Sequence, residues 1–216
     1  MILSPWEPAM NIKEIQLGNL INTITKKDTL FQGKYTLDPY QNCEYACIYC
    51  DSSFEDTIYV KINAVDILKK EIKKIPHGRI IIGSVHDPYQ SIEKKFHLTR
   101  KILSYISTTS FPIHILTKSP EIIDDLPIIK KINKPRVTFT ILSLQKSFFH
   151  LIEPNAPPPT KRLEAMKTLR DNKITSGIAI IPFFPKLSQQ HIEDLVNIAK
   201  KYDASSTVMV FPVPED

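Results

Sequence analysis

The sequence predicts an α/β fold, a partial (β/α)6 TIM-like barrel, on three observations. Short apolar runs of strand length alternate with longer segments of helical period, until six strands have been passed. All three cysteines sit in one stretch directly after the first of those strands. At 216 residues, 42% hydrophobic and 24% charged, the chain is long enough for one well-buried domain and has an ordinary globular composition.

Residues 1–34 carry two prolines, mixed polarity and no clean period, and read as an irregular N-terminal lead-in; 35–216 then form the barrel domain, a single domain overall. Lys34–Leu37 is a short strand ended by Asp38-Pro39, and it delivers the cysteines into the loop that follows. Ala64–Lys74 fits a helix with Val65, Leu68 and Ile72 on one face and lysines on the other. Arg79–Ser84 is too short and too uniformly apolar for anything but a strand buried on both faces. A helix over Ser91–Ser107 follows, then a third strand over Pro112–Leu116. Ser119 is suited to cap a helix with Pro120 in its first turn, interrupted at Pro127. The β-branched run Arg136–Leu142 is the fourth strand. The prolines from Pro154 to Pro159 make a rigid connection into a helix over Thr160–Asn172. Ile174–Ile181, a helix over Ser188–Tyr202 and a strand over Thr207–Phe211 complete the pattern. Such alternation implies parallel strands with right-handed crossovers and a site at the strands' C-terminal ends, where the cysteine loop lands. The chain ends within five residues of the sixth strand, which predicts an open mouth, or one covered by residues 1–34 or a partner.

Cys43, Cys47 and Cys50 are spaced Cys-x3-Cys-x2-Cys. Three thiols cannot pair off as disulfides, and their crowding into one loop asks for a metal centre. A ferredoxin-type cluster or a structural zinc takes four ligands, so three thiolates leave one metal position open for chemistry. From spacing alone, zinc completed by a distant histidine such as His86 also stands.

With Tyr49 just before its last cysteine, this spacing resembles the signature of the radical SAM superfamily. Further along, Leu37-Asp38-Pro39-Tyr40, Gly83-Ser84-Val85-His86-Asp87-Pro88-Tyr89-Gln90, Leu116-Thr117-Lys118-Ser119, Leu151-Ile152-Glu153-Pro154-Asn155-Ala156-Pro157 and Arg162-Leu163-Glu164-Ala165 look like the spore photoproduct lyase-like group, often labelled DNA repair photolyase. The resemblance runs from about Tyr35 to Phe211 and implies a radical SAM core, a six-stranded partial barrel. It implies that Cys43, Cys47 and Cys50 hold a 4Fe-4S cluster whose fourth iron chelates S-adenosylmethionine. It also implies an enzyme in which one electron, from a flavodoxin or ferredoxin-type donor, releases a 5′-deoxyadenosyl radical that takes hydrogen from a substrate, by analogy a nucleic acid base. A small molecule or protein as substrate, or a non-catalytic zinc or iron–sulfur module, are the other readings.

The resemblance places Lys118, at the end of the third strand, against the carboxylate of the cofactor, a task suited to an ammonium point charge. It puts Ser143 at the same end, where a turn-forming hydroxyl is the alternative. Tyr49 shields the cluster or touches the adenine, and Gly177 with Ile180-Ile181-Pro182 lets backbone approach it. Ser84 and His86 fall at the second-strand mouth as cofactor contacts; Asp87, Tyr89 and Gln90 follow on the substrate side, although Asp87-Pro88 also reads as a turn. Glu153 is either a loop-fixing carboxylate or a site residue. One departure stands out: the lyase uses a cysteine near the second-strand mouth to return hydrogen to its product, and here Ser84-Val85-His86 occupies that place with no fourth cysteine in the chain. The hydrogen donor, and with it the substrate, is then expected to differ.

The net charge of +5, with a pI of about 9.0, permits phosphate contacts without requiring them. The lysine pairs are spaced as solvated helix faces. No apolar run reaches membrane-spanning length and Met1–Pro8 lacks a signal-peptide pattern, so the expected compartment is the cytoplasm, with no membrane association.

Overall fold

The computed structural model describes residues 10–50, 56–182, 184, 189–202, 204–205 and 207–209. In chain order its first elements are β1 (Asn11–Ile15), β2 (Asn22–Thr23), β3 (Tyr35–Leu37), β4 (Tyr40–Gln41), β5 (Thr57–Lys61), α1 (Ala64–Glu71) and β6 (Ile80–Ile82). They are followed by α2 (Glu93–Phe96), α3 (Leu98–Ile106), β7 (Ile113–Thr117), a 3-10 turn over Pro120–Asp125, α4 (Leu126–Ile129) and β8 (Arg136–Thr140). The last are α5 (Lys146–Ile152), α6 (Pro159–Asp171), β9 (Thr175–Ile180), α7 (Gln189–Lys201) and β10 (Thr207–Met209).

The main sheet runs β10-β9-β8-β7-β6-β3-β2. From β3 onward its strands are parallel and lie side by side in chain order, and β2 is added antiparallel at one edge. This is the expected partial barrel, and among the described residues no pairing of β10 with β2 closes it. Alternate residues explain its two faces. Ile80, Ile82, Ile113, Ile115, Val137, Phe139, Ile178 and Ile180 enter one apolar core with Leu68 of α1, Ile102, Leu103 and Ile106 of α3, and Leu163, Met166 and Leu169 of α6. Leu116, Thr138, Thr140 and Ala179 face the hollow of the barrel instead.

Several boundaries differ from expectation. Within the expected lead-in two short strands form: β1 pairs in parallel with β5, from Asn11 opposite Thr57 to Ile15 opposite Lys61, and β2 extends the main sheet. Residues 1–9, the start of that lead-in, lie outside the described residues, as do Ser188 and residues 210–211 of the expected last helix and strand. The short alternation of β5 escapes notice because one of its faces is only partly covered. The helix expected over Ser91–Ser107 is two helices, broken where His97 turns left-handed at φ 52°. The Glu93 carboxylate restarts it, accepting the Thr99 and Arg100 N–H groups at 3.0 and 3.1 Å. The helix expected from Ser119 does change at Pro127: the 3-10 turn ends at Asp125 and α4 begins at Leu126, with Pro127 in its first turn, where a proline loses no hydrogen bond.

Candidate active site

The cysteine loop is the connection of a hairpin. β4 and β5 pair antiparallel, Tyr40 opposite Val60 and Gln41 opposite Tyr59, so the loop's two ends are pinned together at the mouth of the barrel. Within it Asn42 and Ala46 take left-handed backbone (φ 67° and 49°), and the Cys50 N–H donates to the Cys47 carbonyl at 2.9 Å. Two strand-end loops hold it from outside. Gln90 donates to the Asn42 carbonyl at 2.9 Å and accepts the Glu44 N–H at 3.3 Å. The Ile48 N–H donates to the Ile152 carbonyl at 3.0 Å, and the Asn155 side chain donates to the Glu44 carbonyl at 3.0 Å. A tight loop with left-handed residues is positioned this way because its own chain offers few internal hydrogen bonds.

All three cysteines line one cavity of about 450 Å³, together with Tyr45, Ala46 and Tyr49. No disulfide joins them. Among the described residues no three His, Cys, Asp or Glu side chains are gathered closely enough to hold a single metal ion, so a mononuclear site is not preformed. Gly83, Thr117, Thr140 and Ile181, at or just past the C-terminal ends of β6, β7, β8 and β9, line the same space. Its floor is Phe31, delivered by the segment before β3. Asp28 shapes that segment by accepting the Leu30, Phe31 and Gly33 N–H groups at 3.0, 3.1 and 2.9 Å. The Phe31 ring meets His114 edge-on at 5.2 Å.

Charge is arranged around this cavity with little slack. Lys118 lines it with its ammonium 5.6 Å from the centre of the Tyr49 ring. Burial pulls the Lys118 pKa down, but Cys47, Glu153 and Asp87 outweigh it, so the ammonium is held above its ordinary value and stays charged. Asp87 also lines the cavity; its carboxylate accepts the Thr117 hydroxyl at 2.7 Å, the Tyr89 N–H at 2.9 Å and the Lys118 N–H at 2.6 Å. Burial raises its pKa, against the pull of those donors and the Lys118 charge. Burial likewise pushes up the Cys43 and Cys47 thiols, further raised at Cys43 by Asp87 and offset at Cys47 by Lys118. Thiols in this state bind metal with release of their protons.

The remaining expected residues divide. Ser84 sits on the cavity rim, its hydroxyl donating to Asp38 at 2.9 Å. His86 is beside the rim and lines no part of the cavity; its N–H reaches the same Asp38 carboxylate at 3.3 Å. Tyr89 and Gln90, expected on the substrate side, are buried supports: the Tyr89 hydroxyl donates to Asp125 at 3.0 Å and Gln90 braces the cysteine loop. Ser143 is buried off the cavity, where its hydroxyl oxygen accepts the Gln145 N–H at 3.0 Å, which is the turn-forming role. Ile181 and Pro182 line the cavity, whereas Gly177 is buried in β9 opposite Thr138 and does not itself line it.

Three supports carry roles that the sequence did not assign. Asp38, read as a strand stop, anchors the 84–86 turn through its side chain. Phe31 fell in a segment without period. Arg162, fully buried, pairs with Glu153 at 2.6 Å, and Glu153 in turn accepts the Tyr49 hydroxyl. An arginine inside a helix that is otherwise an ordinary amphipathic pattern gives no local signal of burial.

Comparison with known proteins places these features in a lineage. The model of the Radical SAM superfamily matches residues 37–199. An uncharacterized protein of Methanocaldococcus jannaschii is 38% identical over 165 residues, covering 71% of this chain and 62% of that protein. One from Mycobacterium tuberculosis is 26% identical over 215 residues, covering 90% of this chain and 63% of that protein. The chain thus spans less than two thirds of the curated relatives it matches. Among solved structures, a spore photoproduct lyase variant superposes with a TM-score of 0.75 at 18% identity, over 94% of this chain and 62% of that one. Streptococcus suis SuiB bound to S-adenosylmethionine gives 0.65 at 13% identity, over 83% and 40%. At these identities the structural likeness establishes the fold.

Proposed function

The chain belongs to the radical SAM superfamily, and from that membership we propose that Cys43, Cys47 and Cys50 ligate a 4Fe-4S cluster and that Lys118 receives the carboxylate of S-adenosylmethionine beside it. The residues fit these groups. Three thiols on one wall leave one iron of a four-iron cluster open, and the cavity has the volume of a nucleoside-sized ligand site. Loaded together and given one electron, the two groups would supply a 5′-deoxyadenosyl radical, with methionine as the leaving group. The single observation that carries the reading is that the three thiols and the charged Lys118 line the same cavity at the C-terminal ends of the barrel strands.

The protein's own residues then bind, orient and exclude water. Lys118 offers an ammonium held charged by its neighbours, and Asp87, by accepting the Lys118 N–H, fixes where that side chain starts. Ile181, Pro182 and Ala179 give the far wall an apolar surface suited to a purine. Phe31 lines the same cavity, and the exposed Ser84 and Val85 give substrate its way in.

The substrate we favour is a nucleic acid base. The resemblance and the basic net charge support this, and salt-sensitive binding to oligonucleotides checks it, since counterion release makes such affinity fall steeply with salt. Ser84 at the rim in place of a thiol argues for a base other than spore photoproduct. A flavodoxin or ferredoxin supplies the electron in this scheme, in the cytoplasm. Among the described residues no helix is long and apolar enough to cross a membrane.

The decisive experiment is anaerobic reconstitution with iron and sulfide, followed by S-adenosylmethionine, dithionite and an assay for 5′-deoxyadenosine. The wild-type chain is expected to turn brown and release it; Cys47→Ala is expected to release none. Cleavage retained in Cys47→Ala would overturn the assignment.

A further inference from the structure

Under the cysteine loop lies a charged pair that the binding of metal or cofactor does not use. Glu153 is 1% exposed and Arg162 0%. Each nitrogen of the guanidinium has a partner: Nε donates to the Pro157 carbonyl at 2.8 Å, Nη1 to the Thr140 carbonyl at 2.7 Å and Nη2 to Glu153 at 2.6 Å. The flat face of its guanidinium lies 5.4 Å from the centre of the Phe149 ring. Phe149 in turn packs against Tyr45 and Cys47. The second oxygen of Glu153 accepts the Tyr49 hydroxyl, one residue before the last cysteine. Arg162 therefore joins the end of β8, the start of α6 and the end of α5, and transmits all three to the cysteine loop, by an apolar contact at Cys47 and a polar one at Tyr49.

Mechanical support alone does not call for charge here. A buried ion pair gains little stability over well-packed apolar residues of similar volume, because desolvation offsets the attraction. What a charged pair adds is a field, and its reach extends to the ligands. The Glu153 carboxylate reaches the ligand loop directly, through the Tyr49 hydroxyl one residue before Cys50, and its other oxygen is held by Arg162.

We propose that Glu153 and Arg162 are positioning residues for the iron–sulfur centre, acting through the Tyr49 hydroxyl both to hold the ligand loop in place and to set the electrostatic environment of the cluster. This rests on the reading of Cys43, Cys47 and Cys50 as cluster ligands. Outer groups of this kind orient metal ligands and tune the metal, and their loss commonly weakens retention tenfold or more. The two ends of the strut predict opposite electrical effects. Removing the Tyr49 hydroxyl leaves the carboxylate less neutralised, so the cluster should be harder to reduce. Removing the carboxylate charge while Arg162 remains should make it easier to reduce.

The test uses the reconstituted full chain as wild type, Tyr49→Phe and Glu153→Gln. Iron release to a chelator and the midpoint potential, titrated by electron paramagnetic resonance of the reduced cluster, are measured on each. Tyr49→Phe is expected to release iron about tenfold faster with a lowered midpoint, and Glu153→Gln to show a raised midpoint. A merely structural strut would accelerate release without opposed shifts in potential. Shifts of the same sign in both variants, or no shift in either, overturn the proposal. If Glu153→Gln does not fold, Tyr49→Phe decides: wild-type release and midpoint in that variant overturn it. A wild-type chain that takes up no iron instead defeats the cluster assignment beneath it.

Discussion

At Gly83 the backbone alone makes a demand that no other residue meets without strain. It follows β6 at φ 82°, and an added Cβ would stand 2.4 Å from the Leu116 carbonyl oxygen and 2.5 Å from Pro88 Cδ. Both obstacles are stiff, so Gly83→Ala should destabilise the chain by roughly 1–3 kcal/mol, the usual cost of a strained left-handed residue, and displace the Ser84–Asp87 turn. A lowered urea midpoint with unchanged slope checks this; an unchanged midpoint would mean the turn has room to relax. Gly83 was legible as part of a motif, and the cysteines were legible for a related reason: their signal is local spacing. Glu153 and Arg162 were quoted in motifs without their partnership, because Tyr49 and Glu153 lie 104 positions apart and no spacing rule connects them. The same limit applies to Tyr89 and Gln90. Their position after a barrel strand was legible, but the direction of their side chains depends on Asp125 and Asn42, which sequence does not bring near.

Elements were read best where packing is symmetric. Ile80, Ile81 and Ile82 are buried on both faces of the sheet and admit only a strand. Among the elements that were missed, β1, β5 and α5 each cover one side of something else, and β1 is exposed along most of its length. α5 matters most to the site, since Phe149 from it packs on the cysteine loop. The break at His97 shows what local period cannot reveal. Helical pattern continues through Ser91–Ser107, but the Glu93 carboxylate accepts the Thr99 and Arg100 N–H groups and the Tyr40 hydroxyl, and so starts a second helix. Glu93→Ala would strip α3 of its cap and strand the buried Tyr40 hydroxyl. A loss of about 2 kcal/mol or more is expected, with a smaller loss in Glu93→Gln, which keeps an acceptor. Thermal unfolding of the two variants side by side checks the order; equal stability would show that the cap contributes nothing.

Across the whole molecule, an open sheet must be filled from one side by something other than its own closure. Here the segment before β3 does it, setting Phe31 into the hollow against His114. His114 joins three parts of the fold: it stands on β7, its Nδ1 faces the Phe31 carbonyl at 3.4 Å, and its Nε2 lies 2.7 Å from the Thr138 hydroxyl of β8. Charged groups around it act in both directions: Arg79 and Arg136 oppose a proton on the ring, and Asp28 favours one. Burial is the dominant cause and brings its pKa down to about 4, below the ordinary 6.5. Between those values the unfolded chain binds a proton at this histidine that the folded chain refuses, so unfolding is favoured as pH falls. Stability from this group is complete above pH 6.5 and is lost progressively toward pH 4, by roughly 3 kcal/mol over the window. Carboxylates also begin to titrate near the lower end, so the measurement is a difference: urea unfolding of wild type and His114→Gln at steps from pH 7 to pH 4. The wild-type curve should fall more steeply with acid than that of the variant, and the two should converge as pH drops. Parallel curves would mean that His114 takes up its proton without cost, and that Phe31 is seated by packing alone.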